Sequence, residues 1–326
     1  MTDSQAATGN TDASRDETWP PLPLSDWKDT YATLHMWTQV VGKVRLALAP
    51  KMNHWWQVPL YVTCRGLTTS PMPSGTRLCQ IDFDFIDHVL RIESSTGEAR
   101  TLGLQPCACA DFYDQVIGAL EALDIRPHMW PVPVEIPDPI PFKRDRVHSS
   151  YDPDAANRHS RILQQAFRVL SEFRARFTGK SSPVHFFWGS FDLTVSRFSG
   201  RPAPRHPNVP VMSDRITVPA YSHEVCSVGF WPGGYGYEDP AFYSYVYPTP
   251  SGYADAEVEP EGAFFSPALG EFVLPYEIVR TAANPDATLL AFAQSAYEAA
   301  ADLAGWDRAA LEDPNARELM AGGTGD

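Results

Sequence analysis

The stretch Lys180-Ser181-Ser182-Pro183-Val184-His185-Phe186-Phe187-Trp188-Gly189-Ser190-Phe191-Asp192-Leu193 decides how this chain is read. A helical pattern stops at Gly179, and a run of apolar and aromatic residues begins, so the chain passes from helix to strand here. Alternation over 184–198 puts His185, Phe187, Phe191, Leu193, Val195 and Arg197 on one face. Trp188, Ser190, Asp192, Thr194 and Ser196 fall on the other. The first face is core-like with His185 at its rim. The second is polar with one large ring, which suits a solvated face or a pocket wall.

A counterpart lies in the first half, where Asn53-His54-Trp55-Trp56-Gln57 follows a helical stretch ended by Pro50. A strand over 54–65 would place His54, Trp56, Val58, Leu60 and Val62 together, so His54 and His185 read as pseudo-equivalent. Arg65 and Arg197 then fall on opposite faces unless a bulge at Gly189 restores the parity.

Working outward, each half shows the same order. A helix near 28–48 carries the stripe Leu34, Trp37, Val41, Val44 and Leu48. Strands near 54–65, 78–86, 88–93 and 99–104 and a helix near 110–123 complete the first half. In the second, Asp152-Pro153 opens a helix with proline at its first position. Strands near 184–198, 222–231, 241–247 and 263–274 follow, and Asn284-Pro285 starts a last helix that Gly305 ends. The expectation is an α+β fold of two pseudo-repeated halves. Each is a helix, about four mostly antiparallel strands and a helix, and the halves pack around a central cleft. The boundaries are a disordered tail at 1–18, the first half at 19–126, a Pro-rich extended connector at 127–150, the second half at 151–312 and a disordered tail at 313–326. Val132, Val134 and Ile136 alternate between prolines in the connector, which suggests an edge strand or polyproline segment.

Composition narrows the classes. The chain has 326 residues, and 44% hydrophobic content supports a sizeable core, rich in rings at 12% aromatic. A net charge of −14 disfavours nucleic acid and anionic membrane surfaces, which need a basic footprint. The five cysteines are scattered, with no zinc spacing and no disulfide framework, which fits reduced thiols. Residues 1–18 lack the apolar core of a signal peptide, and no apolar run approaches a membrane span, so a soluble cytoplasmic protein is expected.

Several groups carry potential chemistry. Asp82 and Asp84 project from one strand face, and His88 joins them if the strand continues; carboxylates with imidazole suit a metal or acid–base work. His148 is a further metal candidate. His35 and Gln39 lie four apart on the first helix and reach toward a cleft. His223 and Glu224 point to opposite faces of their strand. For each of these the plain alternative is a satisfied core-edge histidine or a solvent-facing carboxylate. The Gly179-Lys180-Ser181 triplet is no P-loop, because position 174 is Arg174 rather than glycine. Gly229-Phe230-Trp231-Pro232-Gly233-Gly234-Tyr235-Gly236 lacks dinucleotide spacing and reads as an aromatic turn. No nucleotide or dinucleotide motif is present, and a divalent metal stays open as cofactor.

Thr33-Leu34-His35-Met36-Trp37-Thr38-Gln39, Asn53-His54-Trp55-Trp56, Phe83-Asp84-Phe85-Ile86-Asp87-His88, the 179–193 stretch, Tyr221-Ser222-His223-Glu224 and Gly229-Phe230-Trp231-Pro232-Gly233 together resemble a bacterial family classed as a domain of unknown function. The resemblance spans about 19–312 and implies one family over nearly the whole chain, with no activity attached.

The function expected first is an enzyme. It would use a His- and Asp-rich aromatic cleft for acid–base or metal-assisted chemistry on a small polar molecule. His35, His54, His185, Asp192, His223 and Glu224 are the catalytic candidates. Gln39, Trp55, Arg65, Lys180, Trp188, Arg197 and Trp231 are the ligand-binding candidates. Two alternatives stand beside it. One is a non-catalytic module whose pocket, lined by rings such as Trp37, Phe242 and Tyr243, takes a small polar or aromatic ligand. The other is an interaction protein with an aromatic surface. Oligomeric state stays open.

Overall fold

A computed structural model describes residues 17–207, 212–234 and 237–313. Most of both expected tails, residues 1–16 and 314–326, lies outside the described residues, as do Tyr235 and Gly236 of the aromatic turn.

The fold is α+β, with two antiparallel sheets of six strands each. Helix α1 (Lys28–Leu48) leads into the first sheet. Its strands are β1 (Tyr61–Val62), β2 (Gly66–Thr68), β3 (Met72–Ser74), β4 (Arg77–Asp84), β5 (Val89–Ser94) and β6 (Ala99–Gly103). Their order is β1-β2-β4-β5-β6, with β3 also on β4. Helix α2 (Cys109–Glu121) closes the half.

Helix α3 (Pro153–Ala175) opens the second half, capped by Asp152, which accepts from the Asp154 and Ala155 amides at 2.9 and 3.2 Å. Strands β7 (His185–Phe187), β8 (Asp192–Pro202), β9 (His223–Trp231), β10 (Ala241–Tyr247), β11 (Phe264–Ser266) and β12 (Glu271–Pro275) lie in the order β11-β12-β10-β9-β8-β7. Short helix α4 (Asp214–Ala220) precedes β9, and α5 (Tyr276–Thr281), α6 (Pro285–Leu303) and α7 (Arg308–Leu311) finish the chain. Each half is bracketed by helices around six strands rather than about four, and the second differs from the first in carrying α4 between β8 and β9.

Three expected elements take another form. The 54–65 strand shrinks to β1, and its start is a 3-10 turn over Asn53–Trp55, with His54 and Trp55 both left-handed at φ 53 and 61. The Gln57 side chain accepts the Met52 amide at 3.0 Å and pins this turn, and Pro59 removes an amide that a ladder would need. The 184–198 strand is a hairpin, because the chain reverses over 188–191 with Phe191 at φ 59. Opposed residues of an antiparallel pair share a face. His185 opposite Thr194 and Phe187 opposite Asp192 therefore lie on the polar face, not with Leu193 and Val195 as straight alternation implies. No bulge forms at Gly189; the irregularity of β8 lies between Phe198 and Pro202. The connector forms no strand, only a 3-10 turn at Phe142–Arg144 whose Phe142 is fully buried.

The two sheets meet edge to edge. Leu60 and Phe186 exchange backbone hydrogen bonds at 2.9 Å in both directions, and one buried cluster runs through both halves. Helices α3 and α6 pack on the Leu193, Val195 and Val228 side of the second sheet. The other side of that sheet is left for the site.

Candidate functional site

The free face of the second sheet forms one wall of a cavity of about 510 Å3. That volume lies within the range of roughly 300–1,000 Å3 usual for small-molecule sites. Strand register sets the wall. Thr194, Gly229, Tyr243 and Val273 form one row across four strands, and Ser196, Ser227 and Tyr245 form the next. The facing wall is built from the 54–58 turn, the Val134-Glu135 segment of the connector, the Trp188–Ser190 reversal and one side of α4.

Three carboxyl groups enter this space, from Glu135, Asp192 and Glu271. Asp192 stands at the start of β8 and accepts hydrogen bonds from the Tyr243 and Ser190 hydroxyls. Burial pushes its pKa up against those two donors, and the net direction is upward. Burial, with the nearby Asp192 charge, raises Glu135 to about 7 and Glu271 to about 7. Among the described residues, neither glutamate carboxyl meets a protein hydrogen-bond donor.

Gly229 makes room for Tyr243. A Cβ there would sit 2.5 Å from the phenol oxygen and 2.5 Å from the Leu193 carbonyl. The tyrosine therefore lies across the glycine and reaches Asp192.

Glu135 is set by helix α1 from behind. The Gln39 amide clamps Val134 at two points, donating to its carbonyl at 2.9 Å and accepting its amide at 2.8 Å. One turn earlier, His35 donates Nε2–H to the Gly189 carbonyl at 2.8 Å, since a carbonyl only accepts. Burial lowers the His35 pKa to about 4, so the ring is neutral. A Cβ on Gly189 would come within 2.2 Å of the Glu135 Oε1, so only glycine leaves the carboxyl its place. Glu135 itself is held at φ 60, a left-handed backbone that costs an L-residue roughly 1–2 kcal/mol. Such conformations are known to collect at ligand sites.

The opposite corner is aromatic. His54 donates Nδ1–H to the Ala220 carbonyl at 2.9 Å, and its Nε2 accepts from Lys180 at 2.6 Å. Burial, and secondarily the Lys180 charge, lower the His54 pKa. The Lys180 ammonium lies over the Trp56 and Phe198 rings, outside the cavity. Trp188 donates to the Val58 carbonyl at 2.7 Å and rests on Gly42 of α1, where a Cβ would meet its indole at 2.3 Å.

Of the candidate side chains, His54, Trp55, Trp188, Asp192 and Trp231 line the cavity. His35, Gln39 and Lys180 stand behind its walls. The others fall elsewhere. His185 is buried behind the cavity lining, among Trp56, Tyr61 and Phe187, and not at a rim. His223 approaches His54 at 5.6 Å between ring centroids and bonds Ser222. Glu224 is paired with Arg201 at 2.7 Å. Arg197 is fully buried in the core, its guanidinium 3.5 Å from the Phe173 ring centroid. Arg65 binds Asp84 at 2.5 Å at the far sheet. Trp37 and Phe242 are core residues.

The metal candidates are not brought together. Gln80 holds Asp82, Arg65 and two backbone amides hold Asp84, Tyr151 meets His88 at 2.8 Å, and Asp145 meets His148 at 2.7 Å. Among the described residues, no group of three or more His, Cys, Asp or Glu side chains is placed to hold a metal.

Residues 19–313 match the model of DUF5996, a family of unknown function. The chain belongs to this family. No curated protein and no solved structure matches it. In this DUF5996 chain, sequence reading missed Glu135, Glu271, Tyr245 and Ser227. Two signals pointed to the glutamates. Glu135 is a lone acid between Val134 and Ile136, and Glu271 is a lone acid opening the apolar run Phe272-Val273-Leu274. An acid in so apolar a setting is either strand-edge decoration or a pocket group.

Proposed function

We propose that this chain is a cytoplasmic bacterial enzyme that carries out proton transfer on a small polar molecule held in the second-sheet cavity. The observation that carries the reading is the convergence of Glu135, Asp192 and Glu271 on one cavity. Glutamic acids ionising near neutral pH are poised to give or take a proton under working conditions. Burial keeps both glutamates protonated, and the charge of Asp192, held by Tyr243 and Ser190, adds to it. The reacting groups are thus Glu135 and Glu271, with Asp192 as their electrostatic partner. His54, neutral and fixed by Ala220 and Lys180, shapes the wall.

Thermal-shift screening of small polar metabolites against wild type finds ligands, because binding the native state raises its apparent stability. Mass spectrometry of each hit after incubation then looks for conversion. Glu135→Gln or Glu271→Gln is expected to lower conversion by about 10²-fold or more, the usual contribution of a general acid or base. Conversion that survives both substitutions, or hits that crystallise outside the cavity, would overturn the reading.

A further inference from the structure

We infer that the ligand of this cavity is a small organic cation, an amine or quaternary ammonium compound with an apolar body. The inference rests on the cavity being the functional site and adds the class of molecule it takes.

Charge is the first argument. Among the described residues, no lysine or arginine lines the cavity, and three carboxyl groups do. The remaining titratable groups there add no positive charge. His54 donates Nδ1–H to Ala220 and accepts from Lys180 at Nε2, an arrangement of the uncharged ring, and burial and Lys180 lower its pKa. Tyr221, Tyr237, Tyr243 and Tyr245 are all pushed up by burial, so they are neutral as well. The lining is therefore anionic or neutral and brings no cation of its own to an anion.

Hydrogen bonding is the second. Asp192 already receives two hydroxyls, but the Glu135 and Glu271 carboxyls meet no donor among the described residues. The two glutamates are half-buried, and carboxyls drawn partly out of water without donors gain when a partner arrives. An ammonium N–H supplies that donor, and any cationic head, quaternary ammonium included, relieves the repulsion that Asp192 exerts on both. A neutral polyol gives hydrogen bonds but leaves the repulsion in place.

The rings are the third. Trp56, Trp188, Trp231, Tyr243 and Tyr245 present aromatic surface to the same space. Ring faces attract cations and cover apolar bodies. An aromatic cage beside acids is the combination that desolvated ammonium groups require.

One consequence separates this from ordinary binding. A cation entering beside Glu135 and Glu271 favours their ionised forms, so protons are released on binding between the ordinary glutamate range and about pH 7. Isothermal titration calorimetry on the full chain near pH 6.5, in two buffers of different ionisation enthalpy, reads that release. The probes are choline and benzylamine, each beside its neutral isostere, dimethylbutanol and benzyl alcohol. The cations are expected to bind at least about tenfold tighter than the isosteres, the size of one charged hydrogen bond for benzylamine and of a desolvated cation over ring faces for choline. Their heats should differ between buffers, and Glu135→Gln with Glu271→Gln should abolish that difference. Isosteres that bind as well as the cations would overturn the inference while leaving the cavity as the site. So would failure of both cations to bind. If neutral and anionic metabolites also fail to bind in the cavity, the reading of the site falls with it.

Discussion

Gly42→Ala should change sign with its surroundings. Gly42 lies inside α1, where alanine is favoured over glycine by about 0.8–1 kcal/mol. A Cβ there would lie 2.3–2.4 Å from three indole atoms of Trp188, well inside contact distance. Trp188 cannot yield freely, because its Nε1–H is bonded to the Val58 carbonyl at 2.7 Å and its ring forms cavity wall. Overpacking of this kind costs roughly 1–3 kcal/mol, and loss of the Trp188 hydrogen bond about 1 kcal/mol more. Subtracting the helix gain leaves wild type destabilised by roughly 1–3 kcal/mol. In a Trp188→Leu background the ring is gone, and only the helix preference remains. Gly42→Ala should then stabilise by up to about 1 kcal/mol. Urea unfolding of the four proteins of this cycle measures both values with one coupling energy. Equal destabilisation in the two backgrounds would refute the claim that Gly42 exists to seat Trp188.

Three other outcomes follow from the same geometry. Glu135 and Glu271 hold protons in the folded chain up to about pH 7, against an ordinary value of 4.5, so the folded state binds more protons than the unfolded state in that interval and stability falls as pH rises through it. Relative to the Glu135→Gln, Glu271→Gln double variant, wild type should lose roughly 2–3 kcal/mol per glutamate across this window at about 1.4 kcal/mol per unit, and a flat difference in urea unfolding would contradict it. Gln39→Leu strands the Val134 amide and carbonyl, should destabilise by roughly 2–4 kcal/mol, and should let the Glu135 pKa fall toward its ordinary value in a carbon-13 carboxyl titration. Lys180→Met removes the ammonium that helps depress His54, so the His54 pKa should rise in a proton NMR titration; an unchanged or lower value would contradict the contact.

Long-range consequences of short motifs separated what the sequence disclosed from what it hid. The α1 stripe, the Asp152-Pro153 and Asn284-Pro285 starts and the alternation within 78–86 are local signals, and each element formed close to where they placed it. The reversal at 188–191 carries no Asn-Gly or Asp-Gly marker; it depends on Phe191 adopting a left-handed backbone against a buried aromatic core. That one reversal exchanged the faces of His185 and Phe187. The polar face of Asp192, Thr194 and Ser196 was legible as a wall, but not what closes it. Glu135 lies 57 positions before Asp192 (192 − 135) in a segment without regular structure, brought in by the Gln39 clamp and by Val134 and Ile136 packed on the core. His35 and Gln39 drew attention as candidate cleft groups; in the fold they hold the Gly189 and Val134 backbones.

The most direct measurement is a crystal structure of the full chain with benzylamine, the probe whose ring and ammonium both have partners in the cavity. The ammonium nitrogen should lie about 3 Å from a Glu135 or Glu271 carboxyl oxygen, with the benzyl ring against the Trp188, Tyr243 or Tyr245 side chain. Benzylamine bound only on the outer surface, with those glutamates untouched, would contradict it.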